Sequence, residues 1–242
     1  MEWAGYCVCV RAAIVSDVHI GRLNDAHQHH FVRWLDALDA EQLILLGDVF
    51  HWWWGVEGLV LAEFVPVLAA LERVRRRGIP ICYVPGNHDF ALGPFFKESL
   101  GVTVCPRVEA SWGGRRFLLV HGDEPDTSLG YRFTRRALRG RPFAALMRLA
   151  GPRRAQAIGE RLAGGSRAMG GDSPNPRLLK AQEDWAQARI DEGFDVVVMG
   201  HSHAPGVHAL RAGTLVNLGD FVHHFTWLAV REDFELCRFR TE

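Results

Sequence analysis

Five short apolar runs stand out in this chain because a cluster of polar residues follows each of them directly. The runs are rich in branched aliphatic residues and only about four residues long, which is typical of buried β-strands. They lie at 12–15, 43–46, 81–85, 117–120 and 196–199. The pattern therefore predicts five buried strands, each with polar side chains at its carboxyl end.

Apolar residues recur at helical spacing between the first strands. The residues at 31, 34, 35 and 38 follow the i, i+3, i+4, i+7 pattern of a helix face, and a second helix is predicted over 59–77. A third helix is predicted near 176–192, and a hairpin at Gly113-Gly114. The last of the five strands is predicted near 195–199, and further strands are predicted near 214–217, 226–230 and 234–239. Helices and strands alternate at the start, so the chain is predicted to be an α/β protein.

The clusters after the five runs hold carboxylate, amide and imidazole groups. The side chains concerned are Asp17, His19, Asp48, Asn87, His121, His201 and His203. Oxygen and nitrogen ligands without a thiolate suit manganese, iron or zinc. Seven ligands exceed one tetrahedral site but match two ions that share a carboxylate, and such pairs activate water and hold phosphoryl oxygens. Since ligands gather at the carboxyl ends of strands, we expect a two-metal site at one sheet edge.

Composition limits the class of protein. The chain has 242 residues, enough for one large domain or two small ones, and its formal net charge is zero. No overall field favours nucleic acid, so no nucleic-acid partner is expected. The five cysteines are scattered and odd in number, and the apolar N-terminal stretch is short and broken by Arg11. These features predict free thiols, no signal peptide or membrane span, and a cytoplasmic protein, with no signal for an oligomeric state.

The segment at 131–167 differs from the rest of the chain. It holds ten arginines and one glutamate, a local charge of +9, with apolar residues at helical spacing. Basic amphipathic helices bind anionic membrane surfaces or anionic ligands, but a solvated arginine-rich face remains an alternative. Three consecutive tryptophans, Trp52 to Trp54, follow the second strand. Because side chains alternate along an extended chain, we expect at least one indole at the cleft or the surface, although core packing is an alternative.

The five clusters together resemble the motifs of the calcineurin-like metallophosphoesterases. They read Asp-x-His at 17–19, Gly-Asp at 47–48, Gly-Asn-His-Asp at 86–89, His-Gly-Asp at 121–123 and Gly-His-x-His at 200–203. Within that superfamily the chain is most similar to the UDP-2,3-diacylglucosamine pyrophosphatase family. The similarity rests on Asp-Phe-x-x-Gly at 89–93, the tryptophan-rich segment after Gly-Asp-x-Phe at 47–50, and Leu-Gly-Asp at 218–220.

The resemblance implies a fold and a metal site. The fold is a four-layer αββα sandwich in a single domain, 1–242, with an arginine-rich helical lid inserted at 124–175. Two divalent ions are implied, usually manganese, with iron or zinc as alternatives. One would be held by Asp17, His19, Asp48 and His203. The other would be held by Asp48, Asn87, His121 and His201, so that Asp48 bridges the two.

The resemblance also implies a reaction, in which a metal-bound hydroxide attacks phosphorus. His88 would be the general acid, Asp89 would orient it, and Asp48 would complete the catalytic set. Substrate contacts are expected from Asn87, His88, Asp123, Ser166 and His201. The lipid A pathway hydrolases typically have arginine where this chain has His88, whereas histidine is the general superfamily pattern.

The expected function is hydrolysis of the pyrophosphate of UDP-2,3-diacylglucosamine to UMP and 2,3-diacylglucosamine 1-phosphate in lipid A biosynthesis. The lid would hold acyl chains or contact the inner membrane surface. The protein would then be cytoplasmic and peripherally bound to the inner membrane. A related phosphoesterase acting on a water-soluble nucleotide or phosphodiester is the first alternative. A non-catalytic interaction module is a remote one, because every expected ligand is present.

Overall fold

Two β-sheets lie at the centre of the protein. The structure is a computed structural model that describes residues 10–21, 26–55, 60–89, 92, 94–126, 141–151, 154, 157–159, 161 and 175–241. The described strands are β1 (Ala12–Val15), β2 (Leu43–Leu45), β3 (Ile81–Tyr83), β4 (Thr103–Val104), β5 (Val108–Trp112), β6 (Arg115–Leu119), β7 (Val196–Met199), β8 (Gly206–Leu210), β9 (Gly213–Asn217), β10 (Thr226–Val230) and β11 (Phe234–Arg238). The described helices are α1 (Ala26–Asp36), α2 (Val65–Arg76), α3 (Arg141–Ala150) and α4 (Pro176–Asp191), with a 3₁₀ turn at Ala62–Phe64 and a π-helical turn at Phe95–Ser99.

The order of the strands brings the predicted ligand loops to one edge. In the described residues one sheet has the order β11-β10-β1-β2-β3-β4 and the other the order β5-β6-β7-β9-β8. Strands β1, β2, β3 and β4 run parallel in the first sheet, and β6, β7 and β9 run parallel in the second. The carboxyl ends of parallel neighbours lie side by side, so the loops after β1, β2 and β3 are adjacent, as are those after β6 and β7.

Three apolar layers separate the sheets and helices. Ile14 and Ile44 of the first sheet pack with Leu119 and Val198 of the second. On the outer face of the first sheet, α1 and α2 contribute a second buried cluster that includes Trp34. On the outer face of the second sheet, α4 contributes Ala186 and Ile190 to a third cluster with strand residues of β6, β7 and β9. The order is therefore helix, sheet, sheet, helix, and the predicted four-layer architecture is confirmed.

The helix boundaries follow local chemistry. The second helix begins at Val65 rather than at 59 because Pro66 lies in its first turn, where proline lacks only an N–H that would be unpaired. A 3₁₀ turn precedes it. Helix α4 begins at Pro176, and the Asn175 side chain caps it by accepting the Arg177 N–H at 3.0 Å.

Two strands escaped prediction. Strand β8 pairs antiparallel with β9, but most of its side chains are exposed, so neither a buried run nor an alternating pattern marks it. Val207 in β8 is 52% exposed. Strand β4 is only two residues long. The predicted hairpin at Gly113-Gly114 is confirmed by the antiparallel pairing of β5 with β6.

Helix α3 covers part of the tryptophan segment. Trp52 and Trp54 pack with Met147 and Phe143, and Trp53 lies in the core beneath the first sheet. All three indoles are buried, so none of them lies at the surface, because α3 covers the face that the alternation leaves open; a place at the cleft stays a prediction. Most of the predicted lid at 124–175 lies outside the described residues, and the lid boundaries stay a prediction.

None of the described helices is both long enough and apolar enough to cross a bilayer.

Candidate dinuclear metal site

The ligand side chains predicted from sequence come together at the shared edge of the two sheets. Among the described residues, Asp17, His19 and His203 place one ligand atom each within 4.8 Å of one another. Asp48, His121 and His201 form a second group by the same measure. Each group combines residues from both sheets, because β1 and β2 supply the aspartates while β6 and β7 supply histidines. The site therefore depends on how the sheets pack.

The backbone at these positions is unusual. Five of the predicted ligand residues lie in the left-handed region, with φ of 54° at Asp17, 50° at His19, 54° at Asp48, 68° at His201 and 55° at His203. Residues with a side chain rarely adopt this conformation, at a cost of about 1–3 kcal/mol each. Such strain persists where the surrounding structure fixes it, and it concentrates at binding and catalytic sites.

In the first group, two imidazoles face one carboxylate oxygen. Nε2 of His203 lies 3.2 Å and Nε2 of His19 lies 3.7 Å from Oδ1 of Asp17. The two Nε2 atoms are themselves 3.2 Å apart. Oδ1 of Asp17 is buried and has no hydrogen-bond partner among the described residues, whereas Oδ2 accepts the His201 N–H at 2.9 Å. An orphaned carboxylate oxygen between two imidazole nitrogens fits a divalent cation.

In the second group, His121 faces three ligands. Its Nε2 lies 3.4 Å from Oδ2 of Asp48 and 3.0 Å from Oδ1 of Asn87. Its Nδ1–H donates to the Leu46 carbonyl at 2.8 Å, which leaves the lone pair of the neutral ring on Nε2. A histidine that donates its other ring proton to a backbone carbonyl is the usual arrangement at a metal site. The ring of His201 lies 5.3 Å from that of His121.

The charges at the edge are arranged to attract a cation. Burial alone would raise the pKa of Asp17, but the nearby imidazoles of His19 and His203 hold this pKa well below its usual range. Burial also opposes ionisation of Asp48, yet the charges of nearby histidines lower its pKa. Both carboxylates are therefore anionic. Burial would lower the pKa of His121, but the charge of Asp48 raises it, and the same charge would draw a metal ion to that ring.

Asp89 and His88 have different partners. The Asp89 carboxylate accepts the backbone N–H of Asp48 at 2.8 Å and of Gly86 at 3.0 Å, together with the Tyr83 hydroxyl at 3.0 Å. The ring of His88 instead donates its Nδ1–H to the His51 carbonyl at 2.7 Å. Asp89 thus braces the loop around Asp48, and the group that orients the His88 ring in this structure is the His51 carbonyl.

Two of the remaining predicted substrate contacts, Asp123 and His201, lie in or beside the second ligand group. Asp123 is buried, and its charge acts on the pKa of both His121 and His201, which places it beside the second group. Burial, and then the charge of His121, lower the pKa of His201 to about 4. Ser166 lies outside the described residues.

Two residues near the site were missed by sequence reasoning. The ring of His51 stacks on His88 with centroids 5.7 Å apart, and His19, His51 and His88 also place ligand atoms within 4.8 Å of one another. The sequence feature that could have identified His51 is its position three residues after Asp48. Gln182 is a buried amide on α4. The sequence feature that could have identified Gln182 is a polar side chain four residues before Ala186, on the otherwise apolar face of the helix.

Comparison with known proteins identifies the family. The family model described as calcineurin-like phosphoesterase matches residues 10–205, most of the chain and all five ligand loops. The chain belongs to this family. With two clusters of candidate metal ligands at its sheet edge, it is a metal-dependent hydrolase of the phosphoesterase class.

Curated relatives match over most of their length. The UDP-2,3-diacylglucosamine hydrolase of Pseudomonas fluorescens (strain SBW25) is 30% identical over 236 residues, covering 93% of this chain and 94% of the relative. The protein of the same name from Escherichia coli O7:K1 (strain IAI39) is 30% identical over 206 residues, covering 82% and 84%. Among solved structures, a novel archaeal phosphodiesterase has 13% identity and a TM-score of 0.48 over 93% of this chain and 98% of that one.

Proposed function

We propose that this protein hydrolyses the pyrophosphate bond of UDP-2,3-diacylglucosamine to give UMP and 2,3-diacylglucosamine 1-phosphate. The observation that carries the proposal is the match, over 93% of the chain, to a hydrolase whose name gives that substrate. The two ligand groups support it, because a pyrophosphate presents anionic oxygens that paired divalent ions neutralise.

The ligand set would hold two ions, with Asp48 shared between the groups, and we propose Mn²⁺ with iron or zinc as alternatives. When bound, the ions would supply an activated water and would neutralise the phosphoryl oxygens. The protein itself contributes two ionised carboxylates, Asp17 and Asp48, at the floor of the site. Asn87 adds a neutral ligand, which limits the negative charge that faces an anionic substrate.

His88 is proposed to protonate the leaving oxygen. Its Nδ1–H is committed to the His51 carbonyl at 2.7 Å, so the transferable proton is the one on Nε2. The ring lies beside the first ligand group, with its centroid 5.0 Å from that of His19. A positioned acid of this kind contributes about 10²–10⁴ in rate.

The described part of the lid supports an apolar substrate or a membrane surface. Helix α3 buries Met147 against Trp52 and Trp54. It leaves Leu146 56% exposed and Leu149 86% exposed. Exposed leucines in an arginine-rich segment suit insertion at the boundary of an anionic membrane. We propose that the protein is cytoplasmic and binds the inner membrane surface through this helix, where its lipid substrate lies.

A substrate series tests the proposal. UMP release from UDP-2,3-diacylglucosamine is measured with long and short acyl chains, beside hydrolysis of bis(p-nitrophenyl) phosphate in the same manganese buffer. The proposal expects fast UMP release that falls as the acyl chains shorten. Turnover of the generic diester without UMP release would favour the water-soluble substrate class, for which His88 in place of the family's arginine is the supporting feature.

A further inference from the structure

A single buried amide ties together two of the ligand loops. Gln182 is 1% exposed, on the face of α4 that packs against the second sheet. Its Nε2 donates to the Gly122 carbonyl at 3.0 Å and to the Gly200 carbonyl at 3.1 Å. Its Oε1 accepts the Asn217 Nδ2–H at 3.0 Å. Both amide protons are used, and both go to backbone carbonyls of ligand loops.

The two carbonyls adjoin the histidines of the second ligand group. Gly122 directly follows His121, and Gly200 directly precedes His201. The loops come from separate strands, β6 and β7, and they are joined at the level of the ligands by this amide together with the Gly200 N–H, which donates to the His121 carbonyl at 2.8 Å. The first ligand group takes Asp17 and His19 from the other sheet, and among the described residues Gln182 makes no hydrogen bond to either of them.

The approach of the loop to the amide is close. Gly122 has φ of 102°, and a Cβ at that position would lie 2.9 Å from Nε2 of Gln182. An apolar side chain at 182 would satisfy the packing of α4 with Ala186 and Ile190 but would leave both carbonyls without this donor. Burying an amide costs free energy unless its donors and acceptor are hydrogen-bonded. The hydrogen bonds of Gln182 therefore indicate that it holds the two ligand loops in position.

We propose that Gln182 is a positioning residue that sets the affinity of the second metal site by fixing the distance between His121 and His201. The proposal rests on the two-ion function proposed above. Partners that orient metal ligands typically change metal affinity by about 10–100-fold when they are removed. The effect falls on the ion held by Asp48, Asn87, His121 and His201, and spares the ion held by Asp17, His19 and His203.

The test is Mn²⁺ binding to metal-depleted protein, followed by electron paramagnetic resonance. Gln182→Met keeps the volume and removes the hydrogen bonds. Gln187→Met is the control, because Gln187 lies on the same helix and bonds the Arg211 backbone on the exposed side. Wild type and control should bind two ions and give a spin-coupled pair. Gln182→Met should bind one ion normally and the second about tenfold or more weakly, with an uncoupled Mn²⁺ signal.

Two results would overturn the inference. Either both ions bind to Gln182→Met as in wild type, or both weaken equally, which indicates a general loss of structure. Gln182→Glu provides a second variant of nearly identical shape, in which an oxygen replaces the donor nitrogen, and it should show the same selective loss. A wild-type protein that binds no Mn²⁺ would overturn the proposed function and this inference with it. Failure of the inference alone would instead leave wild type with two bound ions.

Discussion

The backbone N–H of His88 donates to Oδ1 of Asp48 across 2.8 Å, which joins the loop after β3 to the carboxylate at the centre of the site. The backbone N–H of Asp48 in turn donates to Asp89 at 2.8 Å. These two bonds lock the loops after β2 and β3 to each other. The proposed acid and the proposed bridging ligand therefore hold a fixed relative position.

Replacing Asp48 by asparagine should remove the negative charge of the side chain while keeping its shape. The amide oxygen can still accept the His88 N–H, but the negative charge between the two ligand groups is lost. We expect the bound Mn²⁺ to fall from two ions per chain to one or none, and kcat/KM to fall at least about 100-fold, beyond the loss typical of an outer partner. Metal analysis after gel filtration measures the first effect. Asp36→Asn, a change at an exposed ion pair with Arg73, is the control and should retain both ions.

His88→Gln should reduce the rate in a way that depends on the leaving group. The alkoxide of a dialkyl phosphodiester is strongly basic and leaves only with a proton, so a loss of about 10²–10⁴ is expected for a substrate of that type. A p-nitrophenolate, like a phosphate, is a weakly basic leaving group that departs without a proton, so hydrolysis of a p-nitrophenyl ester should fall far less. Parallel kcat measurements on the two substrates check this. An equal loss on both would show that His88 acts by binding phosphate rather than as an acid.

Gly86→Ala should disturb Asp48 directly. A Cβ at Gly86 would lie 2.1 Å from Oδ1 of Asp48, far inside contact distance, so the carboxylate must move. We expect a stability loss of about 1–3 kcal/mol and weaker Mn²⁺ binding. At Gly114, where φ is 74° and no atom lies within 4 Å, alanine should cost stability through its backbone alone and leave Mn²⁺ binding unchanged. Thermal melts with Mn²⁺ titration compare the two variants, and unchanged Mn²⁺ affinity in Gly86→Ala would refute this contact.

The stability of the metal-free protein should fall with rising pH through Asp89. Burial, and then the charge of Asp48, raise the pKa of Asp89 from 3.8 to about 6. Between these values the folded state holds a proton that the unfolded chain has lost, so increasing pH lowers the free energy of unfolding, by about 3 kcal/mol at most. Asp89→Asn removes this contribution.

Urea unfolding of metal-free wild type and Asp89→Asn at pH 4 and pH 7 measures it. The stability of wild type relative to the variant should be greater at pH 4 than at pH 7. A difference that stays constant between these pH values would mean that Asp89 titrates as it does in the unfolded chain.

Leu149→Glu should weaken membrane binding without affecting the fold. Leu149 is 86% exposed on α3, so a charge there is tolerated in water but opposes insertion into an anionic bilayer. We expect lower binding to vesicles that contain phosphatidylglycerol and a higher KM for the long-chain substrate. Val207→Glu is the matched control, since Val207 is 52% exposed on β8. Vesicle sedimentation tests both, and equal binding by the two variants would argue against α3 as the contact.

The fold and the meeting of the predicted ligand side chains were predictable from sequence for one physical reason. Strands buried on both faces appear as short continuous apolar runs, and their ends carry the polar residues that serve a site. The predicted ligands then need only parallel neighbours to meet, and β1, β2 and β3 run parallel, as do β6 and β7.

Other features depend on contacts between distant segments. Strand β8 has no buried face, so its sequence carries no period. Trp52 and Trp54 are covered by α3, which lies about ninety positions later in the chain and cannot be placed by local pattern. Gln182 reads as an ordinary helix residue until its carbonyl partners at Gly122 and Gly200 are known.

The most direct test of the central claim is UMP release from UDP-2,3-diacylglucosamine by metal-depleted protein, before and after Mn²⁺ is returned. The account predicts no release without the metal and rapid release once two ions are bound per chain, much faster than hydrolysis of a generic phosphodiester. Release that does not depend on the metal would contradict the two-ion site. Rapid hydrolysis of the generic ester with no UMP would contradict the substrate.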